Sequence, residues 1–317
     1  MKNCNNIDID IVYLWVNGND PVWQAKRNTF IGKTNENSPI NCKGRYADND
    51  ELKYSLRSIE RNAPWIRKIF IVTDNQIPTW LDITHPKIQV VDHTEIMPEE
   101  SLPCFNSSLI EKHLYKIPGL AEHFLLANDD TFINKKVTPN DLFTSEGLPI
   151  IRLTRKPFRK LRWFWREKVC KKPLKNYSKM IDRSSRLVEK KYGIYYTGMP
   201  HHNIDAYLKS DYQRIVEKDF VNEFSANNQN HMRSDTDIHR SIISYAVLAE
   251  KRGLLRYVTQ NESMLVRIHK KNDYEKLENK GPLFFCMNDS EYASDSDRKK
   301  SKEMLEKLFP KKSQFEK

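Results

Sequence analysis

The stretch Phe124-Leu125-Leu126-Ala127-Asn128-Asp129-Asp130 sets an apolar run directly against an amide and two adjacent carboxylates. Consecutive apolar residues leave no polar face, so Phe124 to Ala127 reads as a strand buried on both sides of a sheet. Asn128, Asp129 and Asp130 then emerge at its carboxyl end, the edge at which open α/β sheets bind ligands. Neighbouring carboxylates repel each other unless a cation or a donor-rich group offsets them. A divalent metal carrying a phosphate is the simplest such partner, because hard cations take oxygen ligands. The same residues also suit a solvated turn, so this stretch alone leaves both readings open.

Upstream, Ile9 to Val16 is rich in β-branched and aromatic residues and reads as a first buried strand. It breaks at Asn17-Gly18-Asn19-Asp20-Pro21, where Gly18 permits close backbone approach to a ligand. Such a turn suits a nucleotide base and ribose, or simply a hairpin, since the G-x-G-x-x-G spacing is missing. Residues 31 to 47 read as a loop punctuated by Gly32, Pro39 and Gly44. A helix begins near Asn49 or Asp50, with Leu52, Leu56 and Ile59 on one face. Arg57 and Arg61 on its other faces are either solvated or in reach of phosphate. Strands Lys68–Thr73 and Lys87–Val91 end in Asp74-Asn75 and Asp92-His93. Between the last of these and Phe124, the spacing predicts a helix capped at Ser107 or Ser108, with Ile110, Leu114 and Ile117 buried. Strands alternating with helices, each strand closing on acidic or amide residues, predict a parallel α/β sheet.

The 317 residues allow one large domain or a core with a sizeable insertion. Lys and Arg number 53 against 42 Asp and Glu, a net +11 that favours anionic partners. Five scattered cysteines form no C-x-x-C pair, so they suggest neither a zinc site nor a disulfide framework. With unpaired cysteines, a polar amino terminus and no long apolar run, the expected setting is a reduced cytoplasm, the protein soluble or peripheral to a membrane.

From Arg152 to Lys179 basic residues face only Glu167, and Phe158, Trp163, Phe164 and Trp165 are interleaved with them. That composition suits nucleic acid, anionic lipid or a charged glycan, or else a basic loop whose aromatics cover the core. Met199-Pro200-His201-His202 places two adjacent histidines that would point apart on a strand, one of them a candidate general base or phosphate ligand. Arg233 stands ahead of an apolar helix at 242–249, a position suited to anion binding. Phe284-Phe285-Cys286-Met287-Asn288-Asp289 repeats the apolar run closing in Asn-Asp.

Together these segments resemble the Stealth family, sugar-1-phosphate transferases of bacterial capsule and cell-surface polysaccharides that include the animal GlcNAc-1-phosphotransferase α/β subunit. The resemblance rests on Ile9–Asp20, on the long block Arg45–Phe143, on Met199-Pro200-His201 through Arg233, and on Cys286–Asp289 with Leu308–Pro310 and Ser313–Glu316. It implies a Rossmann-like glycosyltransferase A type sheet with flanking helices and a basic insertion. The division would be a nucleotide-sugar-binding part at 1–150, the basic aromatic insertion at 151–190, and the rest of the catalytic domain at 191–317. It further implies transfer of a whole hexose- or N-acetylhexosamine-1-phosphate from a UDP-sugar to a hydroxyl of an oligo- or polysaccharide acceptor, releasing UMP and leaving a phosphodiester. On that reading Asp130 and Asp289 hold Mg²⁺ or Mn²⁺, with Asp129 and Asn288 orienting the site. Arg233 clamps the phosphate, and His201 takes the acceptor proton. Trp15, Asn17, Gly18, Asp20 and Asp74 line the uridine end. The rivals are a metal-dependent glycosyltransferase releasing UDP, and a nucleic-acid-binding protein, although nothing in a phosphate-backbone binder requires clustered carboxylates at strand ends. Residues 152–179 would hold an anionic polymer or the membrane surface.

Overall fold

The computed structural model describes residues 7–31 and 46–317, so the loop expected at 31–47 lies, except at its ends, outside the described residues. Strands β1 (Ile9–Leu14), β2 (Ile69–Thr73), β3 (Ile88–Asp92) and β4 (His123–Asn128) run parallel in the order β3-β2-β1-β4. Further along the chain come β5 (Thr131–Ile133), β6 (Ile150–Thr154), β7 (Met199–Pro200), β8 (Asp205–Leu208), β9 (Leu254–Val258), β10 (Ser263–Arg267) and β11 (Phe284–Asn288). The expected α/β class with a parallel sheet is what the chain forms.

Both faces of the parallel sheet are covered, which is why its strands carry unbroken apolar runs. On one face Ile9, Ile11 and Tyr13 pack with Ile69, Ile71, Leu125 and Ala127 against Leu52, Leu56 and Ile59 of the helix Glu51–Asn62. On the other, Val12, Phe70, Phe124 and Leu126 meet the helices Asn176–Tyr192 and Ser241–Ala249 through Ile181, Val188, Ile242 and Ala246. Each fully buried Leu or Ile contributes about 2 kcal/mol. The ends of the 151–190 stretch are thus knit into the fold: β6 pairs with β7 and β9, and the helix Asn176–Tyr192 is core.

Two pairings position the site. β8 joins β4 antiparallel, Leu126 opposite Asp205, so the residues leading into β8 pass over the carboxyl end of β4. β5 turns back from Asp130 and pairs antiparallel with β11, Cys286 opposite Thr131. Three local expectations change. The helix at Ser107–Glu111 is capped by Asn106, whose side chain accepts from Ser108 N at 3.1 Å, and a separate 3₁₀ turn holds Leu114. Arg57 is buried on Glu316, so it neither faces solvent nor reaches a phosphate. Arg61 donates to the Leu308 carbonyl at 2.8 Å.

Candidate active site

Asp129 and Asp130 follow β4 at the carboxyl edge of the sheet, as the opening stretch led us to expect. Asp130 accepts from the Cys286 thiol at Oδ2 (3.1 Å), while its Oδ1 is buried without a hydrogen-bond partner among the described residues. The β5–β11 pairing makes this contact, since Met287 N donates to the Asp130 carbonyl at 2.8 Å. His202 completes a trio. One ligand atom each of Asp130, His202 and Cys286 lies within 4.8 Å of the others. A left-handed backbone at His202 (φ 57°) turns it away from His201, and its ring meets Tyr177 edge-on.

The field here is strongly negative. Burial, with the neighbouring charges of Asp130, Glu51 and Asp48, raises the Asp129 carboxyl well above the usual range. Burial pushes Asp130 up to about 6, with Asp289 adding to the rise and the Cys286 hydrogen bond opposing it. Glu51, also buried, is pushed up to about 7 although Asn49 donates to both its oxygens. Carboxylates collected at such cost, with one buried oxygen orphaned, fit a divalent cation.

Asp289 stands near Asp130 but is committed elsewhere. Arg298 donates to its Oδ2 at 2.8 Å and its Oδ1 at 3.2 Å. A cation at Asp289 would displace that guanidinium. Asn288 closes β11 and its carbonyl accepts from Ile268 N at 3.2 Å.

His201 is buried, with Nδ1 against Ser263 Oγ (2.8 Å) and Nε2 against Asp205 Oδ1 (3.2 Å). An ionised carboxylate only accepts, so Nε2 carries the hydrogen and Nδ1 faces the hydroxyl. The network extends in both directions: Asn203 Nδ2 donates to Ser263 Oγ at 3.1 Å, and Arg240 donates to Asp205 Oδ2 at 3.3 Å and to Glu111 Oε1 at 2.7 Å. Burial would raise Asp205, but the His201 hydrogen bond and the Arg240 charge hold it below the usual carboxylate range. Arg240 also favours the ionised form of Asp130.

At the same carboxyl edge of the sheet, the turn after Leu14 is held by Gln76. Its Nε2 donates to Asp20 Oδ2 (2.9 Å) and the Asn17 carbonyl (3.1 Å), and its Oε1 accepts from Asn17 N (2.9 Å). Asp20 Oδ1 caps the helix Pro21–Ile31 by accepting from Val22 N at 2.9 Å. Gly18 is there for a protein neighbour. A Cβ would stand 2.1 Å from the Tyr46 carbonyl, which accepts from Gly18 N at 2.8 Å, so the close approach expected of a ligand is made by Tyr46. Trp15 is core, packed with Leu52 and Ile71. Asp74 pairs through Oδ1 with Lys26 at 2.7 Å, and its Oδ2 is buried without a partner. Arg233 makes no hydrogen bond or ion pair among the described residues; its Nε is buried and orphaned, and its charge is felt at Asp237 and Cys104.

The structure therefore gathers Asp129, Asp130 and Asp289 with Glu51, Asp48, Cys286 and His202, and places Asp74 and Arg233 on the flank near Cys104. His201 sits one residue behind the cluster. Sequence reasoning missed Glu51, Asp48, Cys286, Gln76 and Arg240 as site residues, and of the two adjacent histidines it chose His201 over His202. The run Asp48-Asn49-Asp50-Glu51 carried a signal for its two acids, a density of carboxylates ahead of a helix.

Residues 8–34 match Stealth protein conserved region 1, and residues 45–151 match conserved region 2. The capsular polysaccharide phosphotransferase SacB of Neisseria meningitidis serogroup A is 32% identical over 329 residues, covering 99% of this chain and 58% of its own length. The exopolysaccharide phosphotransferase cps2G of Lactiplantibacillus plantarum is 46% identical over 142 residues, covering 45% of this chain and 41% of its own. An exopolysaccharide phosphotransferase of Streptomyces coelicolor is 50% identical over 141 residues, 44% of this chain and 24% of that protein. The chain thus spans well under two thirds of the length of these relatives. Among solved structures, the galactosyltransferase LgtC with donor and acceptor sugar analogs aligns over 95% of both chains at a TM-score of 0.45 and 10% identity, too distant to carry an argument. The chain thus carries both Stealth conserved regions and is similar to SacB along nearly all of its own length.

Proposed function

We propose that the chain transfers a hexose- or N-acetylhexosamine-1-phosphate from a UDP-sugar to a hydroxyl of a glycan acceptor, releasing UMP and leaving a phosphodiester in a capsule or surface polysaccharide. The observation that carries this reading is the carboxylate cluster around Asp130, with one orphaned oxygen, at the ligand-binding edge of the sheet. The names of the matched relatives supply the chemistry.

Asp130 would hold Mg²⁺ or Mn²⁺, with His202 and Asp289 the further donors beside it. The cation would neutralise phosphate charge. Arg233, whose guanidinium makes no hydrogen bond or ion pair among the described residues, binds the transferring phosphoryl oxygens. Asp129 adds its negative field to the cation site. Asp205 orients His201, and His201 Nδ1 receives the acceptor proton when the acceptor hydroxyl takes the place of Ser263 Oγ. The turn at Asn17, Gly18 and Asp20, with Trp15 beneath it and Asp74 beside it, receives the uridine, and Asn288 lies by the diphosphate. The reaction would be placed at the cytoplasmic side of the membrane; no helix among the described residues is long and apolar enough to cross one.

The test is the nucleotide released when purified protein meets a panel of UDP-sugars, an oligosaccharide acceptor and Mg²⁺. UMP with a phosphodiester product, lost in Asp130→Asn and Arg233→Ala, is expected. UDP as the product would make the protein a conventional glycosyltransferase and remove the roles of Arg233 and His201 at phosphorus.

A further inference from the structure

The helix Arg159–Phe164, continued by a π-helical turn at Trp165–Val169, is turned inside out. Its first arginine faces inward: Arg159 is 2% exposed, donates from Nη2 to Ser185 Oγ (2.6 Å) and the Tyr196 carbonyl (2.5 Å), and lies over the Trp163 ring at 4.6 Å. Apart from Trp163, which packs against the core, its apolar residues face outward. Phe158 is 73%, Leu161 65% and Trp165 57% exposed, with Phe164 and Val169 also in the open. A surface helix normally buries Leu and Trp and leaves Arg in water. Here the anchoring side holds the opposite face out.

Leu161, Trp165 and Val169 follow one another at helical i, i+4 spacing and share a side. Around them, residues 155–175 carry ten Lys or Arg against the single Glu167. Exposed aromatics ringed by cations could meet a glycan or a lipid. A glycan stacks on aromatic faces but gains nothing from Leu161 and Val169. Lipid acyl chains take aliphatic and aromatic side chains alike, with lysines and arginines reaching anionic headgroups.

We propose that Phe158–Val169 docks the protein on an anionic membrane surface, with Leu161 and Trp165 entering the interface and Arg162 and Arg166 binding headgroups. The proposal goes beyond the transfer chemistry and does not depend on it. It also fixes an orientation. Lys172–Lys175 leads directly into the helix Asn176–Tyr192, whose Tyr177 touches His202, so docking sets the Asp130 cluster close to the bilayer.

The test is co-sedimentation of the full chain with phosphatidylcholine vesicles, with and without phosphatidylglycerol. Binding is expected only with phosphatidylglycerol. Leu161→Ser with Trp165→Ser should weaken it at least about tenfold, and Arg162→Gln with Arg166→Gln about tenfold. These side chains are exposed, so the melting temperature and turnover on a soluble acceptor should not move. Equal sedimentation of the wild type and the Leu161/Trp165 variant would overturn the proposal. So would retention on a soluble anionic polysaccharide through the same residues without vesicle binding, which assigns the surface to a glycan.

Discussion

The Cys286 thiol donates to Asp130 Oδ2 at 3.1 Å, joining residues 156 positions apart at the centre of the carboxylate cluster. That hydrogen bond steadies the ionised form of a carboxyl whose burial has pushed it up to about 6. Protons and cations compete for it, so Mn²⁺ affinity should fall about tenfold for each pH unit below that value. Cys286→Ala removes the donor and should move the midpoint of the affinity curve upward. Calorimetric titration of Mn²⁺ across this range reads both effects. Undiminished Mn²⁺ binding by Asp130→Asn would place the cation elsewhere.

The same shift has a stability consequence of opposite sign to the usual carboxylate. The folded value of Asp130, about 6, lies above its ordinary 3.8, so the fold favours the protonated form. Metal-free protein should therefore lose stability as pH rises between those values, and a cation should restore it. At neutral pH Asp130→Asn is expected to stabilise the metal-free protein by about 1–2 kcal/mol while abolishing turnover. Denaturant melts with and without Mn²⁺ measure this.

Arg57 holds Glu316 through Nε–Oε1 (2.8 Å) and Nη2–Oε2 (3.0 Å), both residues almost fully enclosed. Burial would raise Glu316, but Arg57 and the Ser313 backbone N–H bring it below its ordinary 4.5. Its contribution is present above that value and is lost as pH falls through the lower folded one. Glu316→Gln leaves the buried guanidinium only the longer ion pair to Glu306 at 3.5 Å and should cost about 3 kcal/mol near neutrality, with a smaller difference from wild type in acid. Urea melts at two pH values separate the cases.

Gly18→Ala should cost about 2 kcal/mol or more, because the new methyl has nowhere to go against the Tyr46 carbonyl. If this turn receives the uridine, KM for the donor should rise more than kcat falls. An equal fall in kcat with KM unchanged would remove the turn from donor binding.

The two histidines should separate kinetically. His201→Asn is expected to lower kcat about 10²–10⁴-fold with KM little changed, the mark of a proton acceptor. His202→Ala should raise the Mn²⁺ concentration needed for half-maximal activity. The reverse pattern would exchange their roles.

Much of the scaffold could be read from local pattern. Four-residue apolar runs marked β2 and β4, Leu52, Leu56 and Ile59 marked the helix that covers them, and Asp129 and Asp130 fell at the strand end where expected. What local pattern lacks is pairing across the chain. Cys286 gains its role from the β5–β11 register, and Arg240 from lying between Asp205 and Glu111, neither of which is a neighbour in sequence. His202 rather than His201 meets Asp130 because of one left-handed residue, a backbone choice that histidine does not advertise. Gly18 was correctly singled out for close approach, but to Tyr46.

The closing of the site by distant partners bears on the order in which the chain is built. Asp130 waits for Cys286, His201 for Ser263, and Arg57 for Glu316, so the last third of the sequence completes what the first two thirds begin. Contacts between residues so far apart form slowly, since loop-closure entropy is spent before they return anything. A refolding chain should therefore collapse and gain helix well before it can hold a cation. During synthesis the carboxylates wait, uncompensated, until the strand that carries Cys286 arrives.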